Sequence, residues 1–211
     1  MFEVPAAAEG LVEPVPLKAM GRFNHEAVAV DPRSGDLYLT EDRGDGLLYR
    51  FVPRTRGRLA DGGRLQAMAV TGLPDSRNHS GQAFAPGSWK SVHWVDIEDP
   101  ESPADDLRKQ GAAKGATVFS RGEGIHMGRG ELYFCCTSGG AAKIGQVFRL
   151  QPARNQLQLF FESPSIDVFN FGDNLTVAPN GHLVVCEDQY TENVNNYLRG
   201  ISPAGEPYPL A

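Results

Sequence analysis

Three stretches of this chain repeat one another, and that repetition restricts the fold more than any other feature. The first runs HEAVAVDPRSGDLYLTEDRGDGLLYRFVP from His25 to Pro53. The second runs GEGIHMGRGELYFCCTSGGAAKIGQVFRLQP from Gly122 to Pro152. The third runs GDNLTVAPNGHLVVCEDQYTENVNNYLRGISP from Gly172 to Pro203. Each opens at an acid (Glu26, Glu123 or Asp173) and continues through a short apolar run to a glycine turn. A second alternating strand follows (LYLTED, LYFCCTS or LVVCED), then a polar loop and a third strand ending near proline. Strand, tight turn, strand, loop, strand is the meander of a propeller blade.

A fourth, outer strand is expected at Leu65–Val70 in the first repeat and at Gln156–Glu162 in the second. The spacing from Glu123 to Asp173 matches the ~40–50 residues of a four-stranded blade. Glu26 and Glu123 are about twice as far apart, and the excess is expected to be one insertion at residues 71–117. It holds a Pro/Gly/Ser loop (Thr71–Lys90), an alternating strand (Ser91–Ile97) and a helix candidate (Pro103–Gln110); a degenerate fourth blade is the alternative. The expectation is all-β: a single, partial β-propeller domain over residues 1–211, about three blades of a larger ring. Met1–Pro5 reads as the tail of a third strand and Leu17–Met20 as an outer strand of a preceding blade. Three blades and a remnant leave unpaired edges, so either a longer parent supplies the missing blades or another chain pairs with this one; the fragment is preferred.

Composition narrows the function classes. The 24 glycines and 15 prolines among 211 residues suit short strands and tight turns. A net charge of −6 disfavours nucleic acid or an anionic membrane as partner. The first residues show neither a basic region nor an apolar stretch of the signal-peptide kind. Cys135, Cys136 and Cys186 form no C-x-x-C pair and are expected to be structural. Patterns for a nucleophile elbow, a P-loop or a zinc protease are missing.

The repeated acids carry the chemistry. The innermost strand of each blade lines the propeller axis, so Glu26, Glu123 and Asp173 should surround one cavity. Like charges there must be protonated, paired with Arg or Lys, or relieved by cations. Hard oxygens suit Ca2+ or Fe3+. Asp42, Asn174, Glu187 and Asp188 would add oxygen ligands, and Arg121 would sit beside Glu123 as a clamp for an anion such as phosphate. The plainer readings are solvated strand ends for Glu41-Asp42 and Glu187-Asp188, and a simple ion pair for Arg121 and Glu123. His25 is expected to face away from the axis, Asp31 and Asp45 to serve turns, and Arg77-Asn78-His79-Ser80 to form a surface loop.

GRFNHEAVAVDP, LYLTEDRGDGLLYRFVP, FSRGEGI, LYFCCTSGG, GQVFRL and GDNLTVAPNGHLVVCED together resemble the bacterial PhoX-type alkaline phosphatases, in order and along nearly the whole chain. The resemblance implies a β-propeller that hydrolyses phosphate monoesters of small molecules with iron(III) and calcium ions, and export by the twin-arginine route to the periplasm or medium. It implies iron binding by Glu26 and Glu123, phosphate contact by Arg121, and calcium binding by Asp173 and by Asp42. Glu187 and Asp188 are added from the repeat alone. The family's W-G-T-W-like segment with its C-E-E cysteine ligand has no match here, and family members continue past this chain's last residue. A calcium-dependent propeller lactonase of the gluconolactonase kind, or a non-catalytic calcium-binding module, would use the same acids.

Overall fold

Alternating apolar residues and left-handed turn glycines build three antiparallel meanders in the computed structural model, which describes residues 1–190 and 195–211. The first comprises β1 (His25–Val30), β2 (Leu37–Glu41), β3 (Leu48–Pro53) and β4 (Gly63–Val70). A crossing strand, β5 (Trp89–Asp96), and a short helix, α1 (Leu107–Ala113), follow. The second meander is β6 (Gly122–Met127), β7 (Leu132–Cys136), β8 (Gln146–Gln151) and β9 (Gln156–Glu162). The third is β10 (Gly172–Val177), β11 (Leu183–Glu187), β12 (Leu198–Ile201) and β13 (Pro207–Pro209). The first two strands of the third blade meet at Asn180-Gly181, where Gly181 takes φ 87° and the Asn180 side chain accepts the His182 N–H at 3.2 Å.

The blades stand side by side, with β1 packed along β6 and β6 along β10. This is a propeller arrangement with first strands innermost. Phe119, Phe134 and Phe148 fill the space between blades one and two. Cys135, Val147, Leu175 and Val185 fill the space between blades two and three. Blade one's other face is covered by Leu17, Met20, Ile97 and Leu107.

Residues 71–117 contribute one strand and one helix. Val92–Asp96 of β5 pairs with β4 and Trp89–Ser91 pairs with β9. The outer edges of blades one and two thereby join into one nine-stranded sheet, while β10–β13 form a separate sheet. Sharing β5 protects two edges that would otherwise present open hydrogen-bonding groups.

Three expectations need correction, and one further strand is added. Leu17–Met20 is not a strand: Lys18–Met20 forms a single 3-10 turn, with Leu17 and Met20 buried against blade one. Met1–Pro5 contributes only an isolated bridge, Phe2 to Pro16; the prolines at 5, 14 and 16 remove ladder donors. The helix starts four residues later than Pro103, because Asp105 takes φ 50°, outside the helical region. Lastly, β13 is a short fourth strand beyond the repeat, in which two prolines flank Tyr208. The Tyr208 ring packs where a Cβ on Gly200 would lie, and its hydroxyl bonds His182 Nδ1 at 2.8 Å.

Candidate active site

Each innermost strand carries the same irregularity at the same place. Between His25 and Val28, β1 spends one more residue than β2 does between Glu41 and Leu39. Between Gly122 and Ile125, β6 does so against β7, and between Gly172 and Leu175, β10 does so against β11. These are β-bulges, which re-aim side chains and interrupt the ladder. Glu26, Glu123 and Asp173 are the residues they hold. The three carboxylates feel one another: Asp173 and Glu26 both act on Glu123, and Glu26 acts on Asp173.

Arg121 sits among them. Its Nε donates to Asp42 Oδ1 at 2.8 Å, and its Nη2 donates to Asp42 Oδ2 at 3.2 Å and to Glu123 Oε1 at 2.7 Å. The backbone is unusual here. Arg121 takes φ 53°, and its carbonyl accepts the Thr137 N–H at 3.0 Å. Phe171, the corresponding residue of blade three, takes φ 51°. Left-handed backbone at non-glycine residues costs about 1–3 kcal/mol and collects at functional sites. The expected proximity of Arg121 and Glu123 is therefore correct, but a left-handed residue before the strand produces it, not an extended strand.

The electrostatics follow from this crowding. Burial, then Asp42, Asp173 and Glu26, push the Glu123 carboxyl up to about 8 against the pull of Arg121. Burial, then Asp188 and Glu26, push Asp173 up to about 6. Arg121 is held above its ordinary range, first by its hydrogen bonds to Asp42. One guanidinium among Glu26, Asp42, Glu123, Asp173 and Asp188 leaves a surplus of negative charge.

Glu187 does not belong to this group. It is 5% exposed and takes Arg199 Nε at 2.7 Å, the Asn170 N–H at 2.9 Å and the Tyr197 N–H at 3.1 Å. Its neighbour Asp188 reaches Asp173 instead. Successive strand residues face opposite ways, so only one of each Glu-Asp pair can reach the axis. Blade one follows the same rule. Glu41 is fully buried and accepts the Leu47 N–H at 3.1 Å and the Tyr49 hydroxyl at 2.9 Å, while Asp42 meets Arg121. Asn174 lies beside Asp173, but its Oδ1 accepts the following Leu175 N–H at 2.9 Å.

His25 stacks on Phe23 with ring centroids 3.6 Å apart, and its Nε2 bonds the Gly21 carbonyl. Burial lowers its basicity. Cys135 and Cys136 are buried on opposite faces of β7, and burial pushes both thiols up, away from thiolate chemistry. Cys186 is exposed. The Asp75–Ser80 loop clasps blades one and two: Arg77 donates to Gly44 O at 2.9 Å, and His79 Nε2 meets Ser138 O at 2.9 Å. Two residues that the sequence reading passed over shape the site, Thr40 and Gly124. A Cβ on Gly124 would stand 2.6 Å from Asn174 Cα and 2.8 Å from the Asp173 carbonyl, so only glycine lets β6 and β10 approach this closely. The signal for Thr40 is its alignment with Cys135 and Cys186, one residue before the Glu-Asp position.

Among the described residues, no three His, Cys, Asp or Glu side chains stand at metal-holding geometry. The donor chemistry nevertheless fits a hard cation: several carboxylates, one arginine, and two acids driven toward protonation by burial and then by neighbouring acids.

Fold and site together define a β-propeller with an acid-lined axis and an arginine among its acids. A family model for the alkaline phosphatase PhoX matches residues 1–211. The chain belongs to the PhoX alkaline phosphatase family. Among solved structures it is similar to Pseudomonas fluorescens PhoX in complex with vanadate, a transition state analogue. The TM-score is 0.70 and the identity 20%, over 93% of this chain and 45% of that one. The chain thus spans less than half the length of that relative. No curated protein gives a significant match.

Proposed function

We propose that this chain supplies part of the active site of a metal-dependent phosphate monoester hydrolase. The observation that carries the reading is the bulge that recurs at Glu26, Glu123 and Asp173, whose carboxylates act on one another beside Arg121. Family membership and the likeness to a vanadate-bound PhoX support phosphate chemistry over a lactonase or a purely structural calcium module.

In this reading Glu26 and Glu123 hold iron(III), and Asp173, Asp188 and Asp42 hold calcium. Bound there, hard cations supply Lewis-acid neutralisation of the phosphate oxygens. Arg121 does what a guanidinium does best, presenting planar donors to a phosphate. Its side chain is 35% exposed, and among the described residues its Nη1 has no acceptor. Asp42 and Glu123 hold the guanidinium in place, so little rotamer freedom is lost when the anion arrives. Such a fixed donor stabilises charge on the transferring phosphoryl group. The substrate is a phosphorylated small molecule, and the working place is the periplasm or the medium.

The test is hydrolysis of p-nitrophenyl phosphate by the full-length protein. Activity should disappear on chelation and in Glu123→Gln. Metal-replete protein inert toward every phosphoester tried, yet active on lactones, would overturn the reading.

A further inference from the structure

We propose that Thr40 is a positioning residue: its hydroxyl staples the Glu26 bulge of blade one to the Glu123 bulge of blade two. The inference rests on the phosphatase reading for its consequence, but its geometry stands alone. Thr40 is 1% exposed, on β2. Its Oγ1 accepts the Ala27 N–H at 3.0 Å and donates to the Glu123 carbonyl at 2.5 Å, across 83 residues of sequence. Among the described residues the only other acceptor in its reach, the Ala27 carbonyl, is at 3.4 Å, and one hydroxyl has a single proton to give.

Both partners lie inside the bulges. Ala27 is the residue after Glu26 in the irregular stretch of β1, and Glu123 is in the irregular stretch of β6. A bulge leaves backbone groups out of the ladder. Buried groups of that kind need partners. One hydroxyl serves both, and so fixes the distance between the two peptides that carry the iron-side carboxylates. Gly122 has the Thr40 Cβ 3.3 Å from where its own Cβ would lie, which brings β6 up against β2. The equivalent residues, Cys135 and Cys186, do not repeat the arrangement: Cys135 lies buried between blades two and three, and Cys186 is exposed. The staple therefore belongs to the pair of blades that carries the two glutamates.

The experiment uses the full-length protein with iron(III) alone as a probe in a direct binding titration, beside the kcat and KM of p-nitrophenyl phosphate hydrolysis. Thr40→Ser keeps the hydroxyl and should bind and turn over within about twofold of the parent. Thr40→Val keeps the shape without the hydroxyl and should weaken iron(III) binding and lower kcat by about tenfold or more, with KM little changed. If Thr40→Val does not fold, Thr40→Cys takes its place, since the same strand position already holds cysteine in the other two blades. Equal iron(III) affinity and kcat in the serine and in the valine or cysteine variant would overturn the staple. Glu123→Gln separates the two ideas. If it leaves iron(III) binding and hydrolysis intact, the place of Glu123 in the site falls; if the parent itself hydrolyses no phosphoester, the phosphatase reading falls. If Glu123→Gln removes both while Thr40→Val does not, only the staple falls.

Discussion

Replacing Glu123 by Gln should stabilise the protein in the presence of a chelator while destroying its function. The carboxyl is 5% exposed, and its ordinary value of 4.5 is raised to about 8 by burial and by three neighbouring acids. A raised carboxyl means that the folded state holds a proton that the unfolded chain releases. Stability therefore falls as pH rises from about 4.5 toward about 8. At about 1.4 kcal/mol per pH unit, holding that proton at pH 7 costs about 3 kcal/mol. Glutamine carries no charge and keeps an oxygen for Arg121 Nη2, so most of that cost should vanish. Allowing for a weaker bond to Arg121, the net gain should be about 1–3 kcal/mol. Urea unfolding in chelator from pH 4 to 8.5 measures it. Parent and variant should converge near pH 4.5 and separate as pH rises, with the variant above. Added iron(III) should reverse the order, because the variant lacks the Glu123 ligand and gains less binding free energy. Parallel curves, or a variant less stable than the parent at pH 8, would refute the claim that acid crowding sets this site's electrostatics.

Three further expectations follow from particular contacts. Gly124→Ala drives a Cβ onto the Asp173–Asn174 backbone and should cost about 1–3 kcal/mol, read by urea unfolding, together with Ca2+ affinity. Glu187→Gln strips Arg199 of its charged partner and should destabilise by about 3–5 kcal/mol, yet leave the Ca2+ affinity of the folded fraction unchanged. Glu131 governs an acid limb. Burial raises its carboxyl, but bonds from Gln151, Arg149 and Tyr133 outweigh that and hold it below its ordinary range. Its contribution is present above the unfolded value of about 4.5 and is lost as pH falls through the folded one. Glu131→Gln should therefore lower stability at pH 7 by about 2 kcal/mol and flatten the acid limb of the unfolding curve.

Much of the fold was legible because strand alternation is a strong signal. The outer strands expected at Leu65–Val70 and Gln156–Glu162 end where β4 and β9 end. What escaped had local causes. Two prolines disguise β13, and one left-handed residue, Asp105, delays α1. The sharing of β5 between two blades depends on contacts between distant segments, which no local pattern records. The bulges escaped for another reason. Under strict alternation Glu123 would share the face of Ile125, which is buried in the core between blades one and two. The extra residue breaks that alternation and turns the acid away from an apolar face where it could not stay charged. Recurrence of the acid in three repeats marks the position, but the side chain's direction comes from one residue of slack that leaves no compositional trace.

The Glu-Asp pairs show how the blades reconcile an acidic axis with a stable sheet. Glu41 shares the strand face of Leu39, and Glu187 that of Val185, both core positions. Each glutamate accepts the N–H of the residue just before the third strand, Leu47 or Tyr197. Each thus closes the second loop of its blade from inside. The following aspartate, on the opposite face, reaches the axis. Blade two has Cys136 at the glutamate position and Thr137 at the aspartate position, and closes its loop through glycines: the Gly145 N–H reaches Gly139 O, and the Gly139 N–H reaches Cys136 O. The Thr137 N–H bonds the carbonyl of Arg121 as the Asp42 and Asp188 N–H groups bond those of Asn24 and Phe171, and the Thr137 hydroxyl adds a second bond to that carbonyl at 3.3 Å. The one blade that lacks the Glu-Asp pair is thus the one that presents the arginine. Placing an aspartate at position 137 would restore the repeat in sequence and add a carboxylate to a cluster already short of positive charge.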